Sequence, residues 1–306
     1  MDIVTHAVMG AVLGSAVFEA HPLSAAAFAL GNVLPDLDAL SRCLGKRAFL
    51  HVHQSHTHAY STALLCGLGL DLGLRWLAPG WHEPLAGPAL ALGMALHSTL
   101  DFTNTFGITL LAPFSRRRLA TEWVFFIDAV VVVLGVLALL GIAWHQRATG
   151  HLGCGVQAAY AAALAGYWGL KAWLRRRAGE LAPAGTLSLL PSALVPWWFL
   201  GVAREGSEAR LFRLDARDGR LSGEERVPVL DEELLDEEYA AVAELRAFQT
   251  MRALSPAYHV VEARREAEGT RLRCRDLRTR NFATRFGELE VMIDARGAAH
   301  EVAFHV

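Results

Sequence analysis

The first 179 residues run as long apolar stretches separated by short polar breaks, a pattern that predicts helices inside or against a bilayer. A spanning helix needs about 20 mainly apolar residues, and residues 57–78, 122–144 and 155–174 meet that length. Residues 85–102 are slightly shorter and carry His97 and Asp101 near their end, so they read as a fourth span whose terminus enters a polar site. Residues 3–20 and 22–34 are also apolar, the second too short to cross alone and better read as a half-crossing or a steeply packed helix. No basic segment precedes the first run, and Asp2 and His6 stand at its start, so a cleaved signal peptide is not expected.

Beyond residue 179 the pattern changes. Pro183, Pro191 and Pro196 mark a turn-rich entry, PWWFLGVAR, ARLFRLDAR, TRLRCRDLR and ELEVMIDAR read as strands, and residues 231–254 read as one acidic-to-basic helix. The expected fold is mainly α: a polytopic helical membrane domain over residues 1–179, followed by a smaller α+β soluble domain over 180–306. Trp197 and Trp198 fit either a lipid interface or a core.

Charge follows the same division. Residues 1–179 hold 12 of the 29 Lys and Arg and 9 of the 31 Asp and Glu. A net charge of −2, without a basic patch interleaved with aromatics, gives no reason to expect nucleic acid as a partner. Cys43, Cys66, Cys154 and Cys274 lack paired spacing, which argues against a disulfide framework or a thiolate zinc site. If the loop after Pro35 is cytoplasmic, Arg42, Lys46, Arg47, Arg116 to Arg118, Lys171 and Arg175 to Arg177 all fall inside, leaving Arg75 and Arg147 outside. That threading puts the polar candidates at one cytoplasmic face.

Those candidates are rich in metal-ligand types. His97 and Asp101 are four apart and share a helix face. An Asp at the centre of an inserted helix costs about 2.5–3.5 kcal/mol, so Asp101 and Asp128, in FFIDAVVV, both need compensation. Asp36 and Asp38 lie in LPDLD, just before the burst HVHQSHTH. A zinc site takes about four ligands, so the burst supplies two: His53 and His58 are favoured, with His51 and His56 left open as solvated. His6 follows Asp2, with Gly10 and Gly14 spaced for close helix packing. The expected metal ligands are therefore His6, Asp36, His53, His58, His97, Asp101 and Asp128, with Asp38 as candidate general base, a set large enough for two or more metals. Zinc is the first choice for a nitrogen-rich set, with manganese or iron as alternatives, and such a site suits in-line displacement at phosphorus. Asp71 has Arg75 four residues on and reads as a local ion pair outside the site.

DxxTHxxxG (Asp2 to Gly10), LPDLD, HxxxTH (His53 to His58), HSTLDFTNTFGITLLAPFSRRR and WVFFID occur in this order over residues 1–133. Together they resemble the membrane-bound, metal-dependent hydrolases typified by bacterial inner-membrane proteins of the YdjM and YfhP type. The HxxxD element is also distantly similar to that of zinc-dependent phospholipase C enzymes, which favours phosphoester chemistry. The resemblance implies a hydrolase of the bacterial inner membrane. Gln54 and Ala59 stand where the family's third motif, HRxxTHS, has arginine and serine. Arg116 and Arg118 are candidate substrate-binding cations, and Thr103 and Asn104 candidate partners that orient ligands.

The expected function is hydrolysis of a phosphoester or lipid head group, with a membrane lipid or small phosphorylated molecule as substrate; a homo-oligomer is allowed. The alternative is a non-catalytic metal-binding membrane protein with a structural or regulatory role. A metal transporter ranks last, because the ligands gather at one face instead of tracing a path.

Overall fold

The computed structural model describes residues 1–45, 48, 49, 52, 54–230, 236–279 and 285–305, in two compact units, Met1–Trp173 and Leu174–Val306. The first is helical: α1 Ile3–Gly14, α2 Pro22–Gly31, a 3-10 run Leu34–Leu44, a 3-10 turn His56–His58, α3 Tyr60–Leu77, α4 Ala86–Phe102, α5 Ala129–Thr149 and the start of α6 Gly155–Leu181. The helix ends follow local chemistry. Asp2 caps α1 through the Val4 and Thr5 amides, Pro22 opens α2, and Asp128 caps α5, which stops at Gly150 with φ 78°.

Small residues set how closely the helices approach. A Cβ on Gly31 would stand 2.5 Å from the Leu90 carbonyl oxygen, and one on Gly93 would stand 2.2 Å from that of Phe28, so α2 and α4 touch backbone to backbone. Gly67 and Gly87 bring α3 against α4 in the same way, and Gly10 and Gly14 bring α1 against α2. Met9, Val12, Leu100, Val131, Tyr160 and Tyr167 form one buried cluster of the unit, and Ala27, Ala63, Leu90 and Met94 another.

Two expectations need correction. Among the described residues, α5 is the one helix long and apolar enough to cross a membrane, with the bent pair Pro22–Gly31 and Leu34–Leu44 (45°) as a second candidate. The other runs do form helices, but α4 has 17 residues, α3 carries Asp71 and Arg75, and α6 carries Lys171 and a basic end. Residues 122–128 are not helical. The Glu122 amide donates to Asn104 O, those of Trp123 and Val124 to Thr103 O, and that of Asp2 to Phe126 O, so α5 starts later than the apolar run. The Asp71–Arg75 pair forms at 2.9 Å, and His82 joins it at 3.1 Å.

The second unit contains two four-stranded antiparallel meanders, β1 Thr186–Pro191 to β4 Leu221–Pro228 and β5 Tyr258–Glu266 to β8 Ala299–Phe304. The other strands are β2 Trp198–Glu205, β3 Glu208–Asp215, β6 Gly269–Asp276 and β7 Leu289–Asp294. Alternation gives the first sheet two apolar faces. Phe199, Ala203, Phe212 and Leu214 pack with Leu174 and Ala178 of α6, while Val202, Ala209 and Leu211 pack with Ala257, Val261 and Leu277. The helix expected over 231–254 is two, α7 Asp236–Ala243 and α8 Arg246–Leu254, broken where Leu245 is extended; residues 231–235 lie outside the described ones.

Candidate metal centre

Three chain segments converge at one end of the helical unit. Asp36 comes from the 3-10 run that Pro35 opens after α2, His58 from the turn before α3, and His97 and Asp101 from the last two turns of α4. All four are buried, and one ligand atom from each lies within 4.8 Å of all the others. His58 Nε2 and His97 Nε2 are 3.2 Å apart. Asp36 Oδ1 is 3.6 Å from each of them, and Asp101 Oδ2 is 3.4 Å from the first and 3.7 Å from the second. Ligands about 2.0–2.1 Å from a tetrahedral zinc stand roughly 3.3 Å apart, so these spacings fit one ion.

The ring protons decide what the cluster can hold. His97 Nδ1 is 2.8 Å from Asn32 O, and a carbonyl only accepts, so this nitrogen carries the proton and Nε2 keeps its lone pair. The close approach of α2 and α4 at Gly31 and Gly93 puts that carbonyl there. His58 Nδ1 lies 3.0 Å from Thr57 Oγ1, whose own proton goes to Asp38 Oδ2 at 2.5 Å, so Nδ1 is again the donor and Nε2 carries the lone pair. Two lone pairs and two carboxylate oxygens thus face one point, and Asp101 Oδ2 is buried without a hydrogen-bond partner. Such a group is stable only around a cation, a metal ion or a proton shared between the rings. Burial lowers the His58 pKa, but the Asp36 and Asp38 carboxylates, which accept from the protonated ring, outweigh it and hold the ring above its ordinary value.

The other expected residues take different places. His6 stacks on His97 with ring centroids 3.7 Å apart, and its Nε2 is 3.1 Å from Asp101 Oδ1, which also meets the Met1 α-amino group. Asp38 faces Nδ1 of His58 at 3.4 Å, behind the ring, where its Oδ2 accepts from the Gln54 amide at 3.0 Å and from Thr57. It is therefore placed to orient His58. Asp128 is not in the cluster: it accepts from Val130 N and the Tyr167 hydroxyl and pairs with Lys171 Nζ at 3.6 Å. Its compensation comes from α6, which inspection of its own helix could not reveal. His53 and His51 lie outside the described residues, and His56 is exposed.

Thr103 and Asn104 hold the 122–124 segment through their carbonyls, the Thr103 hydroxyl accepts from Trp168 Nε1, and Asn104 N donates to the Asp101 carbonyl at 3.1 Å, closing the helix end that carries that ligand. Arg116 is exposed, whereas Arg118 is half-buried, donates to Gly107 O at 3.0 Å and feels Asp38. Burial pulls its guanidinium below the usual pKa, and the Asp38 charge opposes that shift. Sequence reasoning missed Asn32, Thr57 and the Gln54 backbone. Asn32 had a usable signal, a lone amide in an apolar run directly before LPDLD.

No curated protein and no solved structure matches the chain. A family model described as YdjM inner membrane protein matches residues 1–177.

Proposed function

The chain belongs to the YdjM inner membrane protein family, and from that premise we propose that it is a membrane-embedded, metal-dependent hydrolase acting on a phosphoester, with a lipid head group as the favoured substrate. The observation that carries this reading is the convergence of four buried ligand atoms, one each from Asp36, His58, His97 and Asp101, within 4.8 Å of one another. A divalent ion held by them, zinc on the nitrogen and oxygen donor set, would supply Lewis acidity to a phosphoryl oxygen and to water.

The protein's own residues prepare that place. Asn32 O fixes the His97 tautomer, and Thr57 and Asp38 fix that of His58. A second ion would draw on His6, whose Nε2 lies 3.1 Å from Asp101 Oδ1. Arg118, close enough to Asp38 to feel its charge, would receive the substrate's anionic group, and the exposed Arg116 would add to the field of that face. The arginine distribution supports a cytoplasmic site and C-terminal unit.

One observation favours a second reading. Four buried protein ligands is the count of a structural metal site, since catalytic sites keep a position open. A metal centre that only braces the helices, with regulation through the sheet unit, is the alternative.

The test is elemental analysis of detergent-purified protein beside folded His97→Ala and Asp36→Ala variants, followed by a phospholipid and phosphoester screen. Metal lost in both variants together with metal-dependent turnover supports the hydrolase. Bound metal with no turnover of any ester leaves the structural reading. A metal-free wild type that zinc, manganese and iron all fail to load removes both.

A further inference from the structure

We infer that the turn joining β1 to β2, residues 192–197, is a lipid-contacting surface that seats the C-terminal unit on an anionic bilayer. Leu194 is 75 % exposed at its tip. The turn is nevertheless firmly built: Ser192 Oγ accepts from the Leu194 and Val195 amides at 3.2 Å, Ser192 N donates to Trp198 O at 2.8 Å, and Trp198 N donates to Val195 O at 3.1 Å. A rigid turn holding a large apolar side chain outward gains from a surface that takes it out of water.

The neighbouring chemistry selects a lipid surface. The Arg217 guanidinium lies 4.4 Å from the centre of the Trp197 ring and that of Arg213 lies 4.5 Å from the Trp198 ring, and both arginines are exposed. Tryptophan rings settle at head-group depth, with arginines reaching lipid phosphates. Asp215 pairs with Arg217 at 2.8 Å, Asp218 with Arg220 at 3.9 Å and Glu180 with Arg176 at 3.1 Å, so Arg213 brings the positive charge to the patch.

Position along α6 agrees. Trp197 packs on the cluster containing Leu174 and Ala178, and Arg177 donates to Ala216 O at 2.7 Å and Arg217 O at 3.0 Å. The turn therefore lies near Arg177, in the basic end of α6, a sequence that suits a head-group layer. The inference rests on the membrane setting of the proposed function and not on its hydrolase chemistry.

The full-length chain, with Cys43, Cys66 and Cys154 replaced by Ala, would carry an environment-sensitive fluorophore on Leu194→Cys, or on Glu268→Cys in the exposed β5–β6 turn as control. It would be reconstituted in vesicles of phosphatidylethanolamine and phosphatidylglycerol, with and without a shallow nitroxide lipid. The expected result is a blue shift and loss of emission to the nitroxide at position 194 but not at 268, with the loss reduced by Arg213→Glu plus Arg217→Glu. Equal quenching at both positions would overturn the inference, and so would a blue shift at 194 without quenching, which means a protein covers the turn. Metal content of the same samples reads the hydrolase proposal separately.

Discussion

Replacing Gly93 by alanine adds one methyl group where α4 touches α2, four residues before His97. That carbon would stand 2.2 Å from the Phe28 carbonyl oxygen and 3.1 Å from Gly31 Cα. An ordinary carbon–oxygen contact is about 3.3 Å, so the helices must part by roughly 1 Å. His97 lies one turn further on the same face, and a shift of that size stretches its 2.8 Å bond to Asn32 O to about 3.8 Å, where it no longer counts as a hydrogen bond. The overpacked Gly93→Ala should lose about 1–3 kcal/mol of stability, and loss of the ring's orienting partner should weaken metal binding about 10–100-fold. Thermal unfolding in detergent and zinc competition against a chelator read the two effects. Gly73→Ala in α3, where an added Cβ meets nothing within 4 Å, is the control and should be neutral or up to about 1 kcal/mol more stable. A Gly93→Ala protein with wild-type melting and wild-type zinc affinity would refute the account of how the centre is positioned.

Three further outcomes are expected. Lys171→Met strands the buried Asp128 carboxylate and should cost about 3–5 kcal/mol, with metal content unchanged by elemental analysis; metal lost from folded protein would put Asp128 back in the site. Thr57→Val removes the hydroxyl that binds Asp38 and meets His58 Nδ1, and chelator competition should show affinity about 10–100-fold weaker. At Gln54, with φ 58°, a β-branched Ile should cost about 1–2 kcal/mol in melting experiments, whereas Gly, which keeps the amide that serves Asp38, should stay within about 1 kcal/mol of wild type; equal stability of the two would show that the backbone there is not constrained.

Much of the helical unit is legible in the sequence, because long apolar runs leave few alternatives to helix. The runs do not reveal where a helix yields to cross-links from elsewhere: residues 122–128 are apolar enough to continue α5 and are instead tied to Thr103, Asn104 and Asp2. At the candidate site, residue type and motif order point to Asp36, His58, His97 and Asp101, and the structure brings these four together. Which side of a ring each carboxylate meets is tertiary information. Asp36 and Asp38 are two residues apart with the same chemistry, yet one faces Nε2 of His58 and the other Nδ1. Asp128 looked uncompensated because its cation lies on α6, and β4, with LSGEERVP, has too little apolar alternation to announce a strand.

Asp36 and Asp101 are far apart in sequence, with His58 and His97 between them. An ion gripping all four would act as a staple across a long loop, and because unfolded chain offers no such site, its binding free energy adds to the stability of the helical unit alone. Chelation should therefore loosen that unit while leaving the melting of the two sheets untouched, so that one chain unfolds in two steps, only the first of which depends on metal.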